Sequence, residues 1–458
     1  MAVDRSRLPE VGPDPRFRFP SIARHRLANG LDVRTVEHHS VPIVTVSLLI
    51  NDGSGADPGD RHGLAAITAD MLDEGTGALS AIDVSEGLAR IGAEFDVDVA
   101  PDATAFTLTT LSRFADRGAA LLADIIMRPS LRGEDFTRVR QMRLDRLRQL
   151  RDLPPAVAER AFLRLLYREH PYGHLPIGAD GALRAMTLDE IREFHARAYR
   201  PSRATLVVGG AMSHDELHRF AERAFGEWRE PSGDRAPRVP ASAVEPSIVS
   251  ATRLAVVPRD GAAQSELRIG HLTTGRDTPD YPGLLVLNSV LGGQFVSRIN
   301  LKLREEKGYT YGARTGFDWR RGISPFGLQA SVHTAATGDA IQDSLAELQA
   351  IRGARPPHDR EMLLAKATLT RGYPRNFETA QQVTRAVAQL VLYDLPDTYF
   401  EEFVPKVNAV DADEVIRVAR RHIDPSRLVT LVVGDHHAIA DSMKALQLGE
   451  PAVLSPDQ

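Results

Sequence analysis

The chain contains no cysteine. That absence removes disulfide scaffolds, thiolate metal sites, thioether-linked haem and cysteine nucleophiles together. It leaves the redox compartment open, because a chain without thiols is indifferent to it. Long apolar runs are missing as well. The most apolar stretch, Val41 to Ile50, is broken by Pro42, Thr45 and Ser47, whereas a membrane-spanning helix takes about 20 apolar residues. The opening MAVDRSRLPEVGPDPRFRFP lacks the apolar core of a secretory leader. The expectation is a chain with no membrane span, cytoplasmic as written or periplasmic if a leader has been removed. A basic surplus is also absent: 56 Lys and Arg stand against 61 Asp and Glu, a net charge of −5. The electrostatic footprint of a general nucleic-acid binder is therefore lacking. What is present is ordinary for a globular protein, with 43% hydrophobic and 26% charged residues over 458 positions. That length accommodates two to four domains of roughly 100–200 residues.

Turn chemistry and periodicity organise the chain. Asn29-Gly30 is a strong turn signal between two β-rich runs within residues 25–51. In the second run Val44, Val46 and Leu48 share one face, and Ile43, Thr45 and Ser47 the other; the β-branched content favours a strand. Helical spacing follows over 62–72 and 80–91, with Ser80 or Asp83 available to start the second helix. Alternation over 93–99 and 104–110 predicts two strands. The segments at about 113–127, 133–152, 154–167 and 187–199 read as helices, 204–208 as a short buried strand, and 213–226 as a helix. Residues 229–248 carry four prolines and little periodicity, and read as an interdomain linker.

The second half repeats the first. TLDEIREFHARAYRPSRATLVVGG (187–210) returns as DADEVIRVARRHIDPSRLVTLVVGD (411–435), each a helix, then Pro-Ser-Arg, then a Thr-Leu-Val-Val-Gly strand. The order of elements around the two strings also matches. The expected fold is α+β with two homologous domains, 1–228 and 249–458. Each is expected to be a mostly antiparallel or mixed sheet with helices packed on one face.

The usual carriers of hydrolytic chemistry are missing. There is no Gly-x-Ser-x-Gly elbow, and the glycine-rich DGSGADPG (52–59) lacks the Lys of a phosphate loop. Among the histidines, His38 and His39 sit in a turn, and Pro171 and Gly173 place His170 and His174 in a loop. His214 and His218 share a helix face without a Glu in the right order, and His436 and His437 follow a strand. All read as surface or capping histidines.

Several long strings, in order, carry a resemblance to a known family. They are LANGLDVRTVEHHSVPIVTVSLLINDGS (27–54), HGLAAITADMLDEGT (62–76), HPYGHLPIG (170–178), AYRPSRATLVVGG (198–210) and LNSVLGGQFVSRINLKLREEKGYTYGA (287–313). Together they resemble the pitrilysin and mitochondrial-processing-peptidase family of inverted zinc metallopeptidases. That family works through His-x-x-Glu-His on a helix plus a distal Glu, two His binding Zn²⁺ and the first Glu activating its water. The resemblance places Ala66 and Asp70 at the two His positions, Ala69 at the general base, and Arg146 at the distal Glu, with Asp145 beside it. Alanine has no lone pair for a metal, and one carboxylate does not make a three-ligand site. No metal is expected on this chain.

The same resemblance implies a second constellation. Family members use an Arg and a Tyr seven residues later to bind the substrate backbone and stabilise the oxyanion; here LKLREEKGYTYGA places Arg304 and Tyr311 at that spacing. Read alone, Arg304 is one charge among Lys302, Glu305, Glu306 and Lys307, and Tyr309 is a rival for Tyr311. Within the intact motif both acquire a role. The resemblance implies half of a clamshell, with no cofactor of its own. A homologous zinc-bearing subunit would be the partner in a heterodimer, a peptide the substrate, and Arg304 and Tyr311 catalytic and substrate-binding residues acting in trans. The alternative is a proteolytically inert structural or peptide-binding subunit.

Overall fold

The computed structural model describes residues 17–230, 240–245 and 253–456. The linker region 229–248 lies mostly outside the described residues. Its described part, Pro240 to Glu245, includes a short 3₁₀ turn, Ala241–Ala243, seated against His170, whose Nε2 lies 2.9 Å from the Val244 carbonyl.

The strands of the first half are β1 (Ile22–Arg26), β2 (Asp32–Glu37), β3 (Ile43–Ile50), the two-residue pair β4 (Gly75–Thr76) and β5 (Leu79–Ser80), β6 (Glu94–Val99), β7 (Thr104–Leu111) and β8 (Ala204–Gly210). The second half supplies β9 (Leu254–Pro258), β10 (Gln264–Leu272), β11 (Thr310–Phe317), β12 (Pro325–His333), β13 (Val429–Gly434) and β14 (Ala452–Val453). Two six-stranded mixed sheets result, ordered β1-β2-β8-β3-β7-β6 and β14-β9-β13-β10-β12-β11. Five strands correspond one to one. β2 runs parallel to β8 as β9 does to β13, and the remaining three neighbours are antiparallel in both. The outermost strands differ: β1 pairs antiparallel from the N-terminal side, and β14 parallel from the C-terminal side.

Local chemistry fixes these elements. Asn29 closes the turn before β2: its amide nitrogen donates to the carbonyls of Phe225 and Trp228 at 2.7 and 2.9 Å, its side-chain oxygen accepts from Leu31 N, and Gly30 supplies φ +91°. Ser80 and Asp83 form a reciprocal capping box on the helix Ala81–Arg90, as Thr187 with Glu190 does on Leu188–Ala198. On β3, Val44, Val46, Leu48 and Ile50 enter the first core, while Thr45 and Ser47 meet Thr109 and Thr107 on the opposite face.

Each sheet carries its own helices on one face. The other face receives a helix from the opposite half. The helix Pro154–Tyr167 lays Val157, Ala161, Phe162 and Leu166 on Ala255, Val257, Leu431 and Val433 of the second sheet. The helix Ala380–Leu392 reciprocates, placing Val383, Val387 and Leu390 on Val36, Leu49 and Val207 of the first. Burial on both faces explains why β8 and β13 read as continuous apolar runs and not as alternating strands. Each crossing helix covers only part of its face. On the first sheet the uncovered part ends at edge strand β6, where Glu94, Asp96 and Asp98 are exposed. On the second it ends at edge strand β11.

Candidate functional site

The helix Leu64–Asp70 holds the positions that the resemblance assigns to zinc. Its N-terminus is capped from a distance: Asp57 accepts from Gly63 N at 2.6 Å and Ala65 N at 2.7 Å, and also meets His174 Nε2 at 3.0 Å. Gly63 has φ +100°, and a β-carbon there would stand 2.9 Å from Gly178 Cα, so glycine is required. Ala66 and Ala69 are buried against their neighbours. Asp70 pairs with Arg143 of the helix Gly133–Arg151 at 2.7 Å, and Arg143 also donates to the Pro176 carbonyl at 3.1 Å.

These residues do not fit a metal ion: two lack any donor atom and the third is tied to a guanidinium. Among the described residues, no group of three or more His, Cys, Asp or Glu side chains is placed to hold one. The distal position differs from the sequence expectation. Arg146 is exposed and bonds Gln149, while the cation that meets Asp70 is Arg143, one turn earlier. The signal was the buried stripe Phe136, Val139, Arg143 and Leu147, whose spacing turns 143 inward and 146 outward. The histidine pairs take local roles. His174 stacks on His62 at 4.0 Å, His218 on His25 at 4.3 Å, and His214 meets Thr35 Oγ1 at 2.8 Å.

Two measurements follow. Metal analysis of the gel-filtered chain should return no stoichiometric zinc; one zinc per chain surviving dialysis would contradict the reading of Ala66, Ala69 and Asp70. The second concerns Asp73, in the turn after this helix, whose carboxyl is pushed up to about 6 by burial and then by neighbouring Glu74. The folded chain therefore holds this proton more tightly than the unfolded chain between about pH 4 and pH 6, and its contribution to stability falls as pH rises through that window. Asp73→Asn should flatten the fall, read as denaturation midpoints at the two ends of the window.

Arg304 and Tyr311 lie on either side of one sharp connection. Arg304 is in a π-helical turn, Leu301–Glu306. Gly308, at φ +65°, turns the chain, and Tyr309 N returns to Leu303 O at 2.8 Å. β11 then begins with a bulge between Thr310 and Ala313 against β12. Thr310 Oγ1 stabilises it, donating to the Ser331 carbonyl at 2.6 Å and accepting from Gly312 N at 3.1 Å. Asn300 ties helix to strand, accepting from Ala313 N at 3.0 Å. The bulge turns Tyr311 outward, 86% exposed, while Tyr309 packs against the second core. This separates the two rivals. Among the described residues no hydrogen bond joins Arg304 to Tyr311. The Arg304 guanidinium lies 4.6 Å from the centre of the Phe295 ring and 3.1 Å from a Glu305 oxygen.

Arg304 opens onto a groove of about 590 Å³ on the uncovered face of the second sheet, which Arg268 and Arg314 also line. Arg268 is buried and matched by Glu266 at 2.5 Å, and Arg304 is matched by Glu305, which leaves Arg314 as the groove's cation without an ion pair among the described residues. Gly292 lets this wall close: a β-carbon there would meet Thr315 Oγ1 of β11 at 2.5 Å. The arrangement offers cationic donors and an outward phenol beside a free strand edge.

Residues 33–179 match the family described as insulinase, peptidase family M16, and residues 185–369 match the peptidase M16 inactive domain. The chain belongs to peptidase family M16. An uncharacterized zinc protease of Mycobacterium tuberculosis is 26% identical to this M16 chain over 416 residues, 90% of this chain and 93% of the relative. The uncharacterized zinc protease YmxG of Bacillus subtilis is 22% identical over 405 residues, 87% and 95% of the two. The M16 fold is shared with two solved structures. A peptidase M16 inactive domain from Pseudomonas fluorescens superposes with TM-score 0.83 at 22% identity, over 90% of this chain and 98% of that one. A protease from Helicobacter pylori gives 0.84 at 20%, over 90% and 99%. Among the described residues no helix is long and apolar enough to cross a membrane.

Proposed function

We propose that this M16 chain is the non-catalytic subunit of a two-chain zinc metallopeptidase. Arg304 and Tyr311 serve substrate at a zinc site on a homologous zinc-bearing subunit. The two repeats, 1–228 and 249–458 joined through 229–248, form one half of the clamshell, and the partner forms the other. The observation that carries this reading is the pairing of a π-helical turn at Arg304 with a β-bulge at Tyr311. Both irregularities sacrifice regular hydrogen bonding, and both are over-represented where side chains must be re-aimed for function. A bulge on an edge strand also serves a structural end by blunting edge pairing, so it is the coincidence of the two irregularities at Arg304 and Tyr311 that favours this reading over a purely structural subunit.

In the assembled enzyme a zinc ion held by the partner would supply the activated water. Arg304 anchors the peptide backbone through charge-assisted donors, and Tyr311 donates its hydroxyl to the carbonyl oxygen as negative charge develops. The test is peptide hydrolysis by this chain, by a zinc-bearing homologue, and by the two mixed. Activity confined to the mixture supports the reading. Full activity of the zinc-bearing chain alone, unchanged on mixing, rejects it.

A further inference from the structure

A second cavity, of about 370 Å³, lies between the helix Ala380–Leu392, the helix Tyr399–Ala409 and the turn Tyr373–Phe377, away from the Arg304 groove. Its walls carry two arginines, Arg276 and Arg385, and no acidic residue. Arg276 is 7% exposed. The other buried arginines each have a carboxylate: Arg143 has Asp70, Arg268 has Glu266, Arg298 has Glu361 and Arg320 has Asp318. Arg276 has none among the described residues. Tyrosines surround it instead. Its guanidinium lies 3.4 Å from the centre of the Tyr281 ring and 5.0 Å from that of Tyr399, and one N–H donates to Tyr399 Oη at 2.6 Å. Rings cover the faces of a guanidinium and leave its edge, where the donors point, for a planar anion. A second donor is idle nearby. Tyr373 Oη is buried with no hydrogen-bond partner, although Tyr373 is only 6% exposed. The wall also carries the amides Asn376, Gln382 and Gln389, and an aromatic part in which the Tyr373 ring stacks on Phe403 at 4.5 Å and Phe377 packs against Phe400 at 5.1 Å.

We propose that this cavity binds an organic monocarboxylate bearing an aromatic or branched apolar group. The carboxylate sits on the edge of Arg276 with Tyr373 Oη as a further donor, and the apolar group lies against Phe377, Phe400 and Phe403. The volume suits one such group. A buried cation without a counter-ion, a buried hydroxyl without a partner and an aromatic wall are each unfavourable alone and are relieved together by this ligand. The site stands independently of the proposed peptidase role. The same chemistry is offered by a free acid and by the C-terminus of a peptide ending in an aromatic residue.

The test is calorimetric titration of the full chain with N-acetyl-phenylalanine, with its amide, and with decapeptides ending in Phe as free acid or amide. Each acid that binds should exceed its amide by about tenfold or more, because the amide leaves a buried charge unpaired. Binding by the decapeptide acid assigns the peptide C-terminus as a source; binding by N-acetyl-phenylalanine alone assigns a free acid. Arg276→Gln should abolish binding. Tyr373→Phe should weaken it several-fold while leaving the melting midpoint of the unliganded chain unchanged or raised, since its hydroxyl has no bond to lose. That variant keeps the test decisive if Arg276→Gln does not fold. No saturable binding by either acid, equal binding of acid and amide, or unaltered affinity in Tyr373→Phe would overturn the proposal.

Discussion

Tyr311→Phe is expected to lower turnover of the proposed two-chain peptidase by about 10²–10³, the usual consequence of removing one oxyanion donor, the role proposed for this hydroxyl. The substitution deletes a single hydroxyl from a side chain that is 86% exposed and belongs to no core cluster, so neither stability nor association with the zinc-bearing chain should change. Arg304→Ala should lower turnover and also raise KM, because it removes the charged anchor proposed to hold substrate before and during reaction. Tyr309→Phe is the control. Its ring packs on the second core, and the account gives its hydroxyl no part in the chemistry. Hydrolysis rates with chain association measured in parallel check all three. Full activity in Tyr311→Phe and Arg304→Ala with association intact would leave the structural-subunit reading standing.

Phe162→Ala should destabilise the chain by about 3–5 kcal/mol, the range for removing a buried phenylalanine. Phe162 is 4% exposed and belongs to the first half, yet it packs on the sheet of the second. Its ring reaches β12, where a β-carbon at Gly327 would lie 3.5 Å away. The loss should appear as a lowered denaturation midpoint and, because this residue joins the halves, as a broader or split transition. Leu153→Ala, at a position just before the same helix that is 47% exposed, should stay within about 0.5 kcal/mol. Equal effects of the two substitutions would mean that the crossing helix does not hold the halves together.

Much of this architecture was legible in the sequence because its signals are local. Asn29-Gly30, the Ser80–Asp83 cap and the alternation of Val44, Val46 and Leu48 act within a few residues. The Pro-Ser-Arg strings marked equivalent helix–strand junctions, which the structure places at Pro201–Arg203 before β8 and Pro425–Arg427 before β13. The reciprocal crossing helices were not legible. Pro154–Tyr167 shows an ordinary amphipathic pattern, and nothing in that pattern says that its apolar face serves the other half's sheet. Arg143 was missed for a related reason: aligning a motif fixes a position in the string, while the inward face of a 19-residue helix is set by its whole buried stripe. The π-helical turn and the bulge have no sequence signature here beyond Gly308 and Thr310, and they are what distinguish Tyr311 from Tyr309. The Arg276 cavity was invisible because its walls come from segments about 100 residues apart and its character depends on a carboxylate that is missing.

The most direct test of the shared-site account is a titration of a zinc-bearing M16 chain with this one, following hydrolysis of a peptide at fixed zinc content. The account predicts negligible rates for either chain alone, a rise that saturates at one chain per zinc-bearing chain, and no rise when the added chain carries Tyr311→Phe together with Arg304→Ala. A saturating rise of equal height with the doubly substituted chain, or chelator-sensitive hydrolysis by this chain alone, would contradict it.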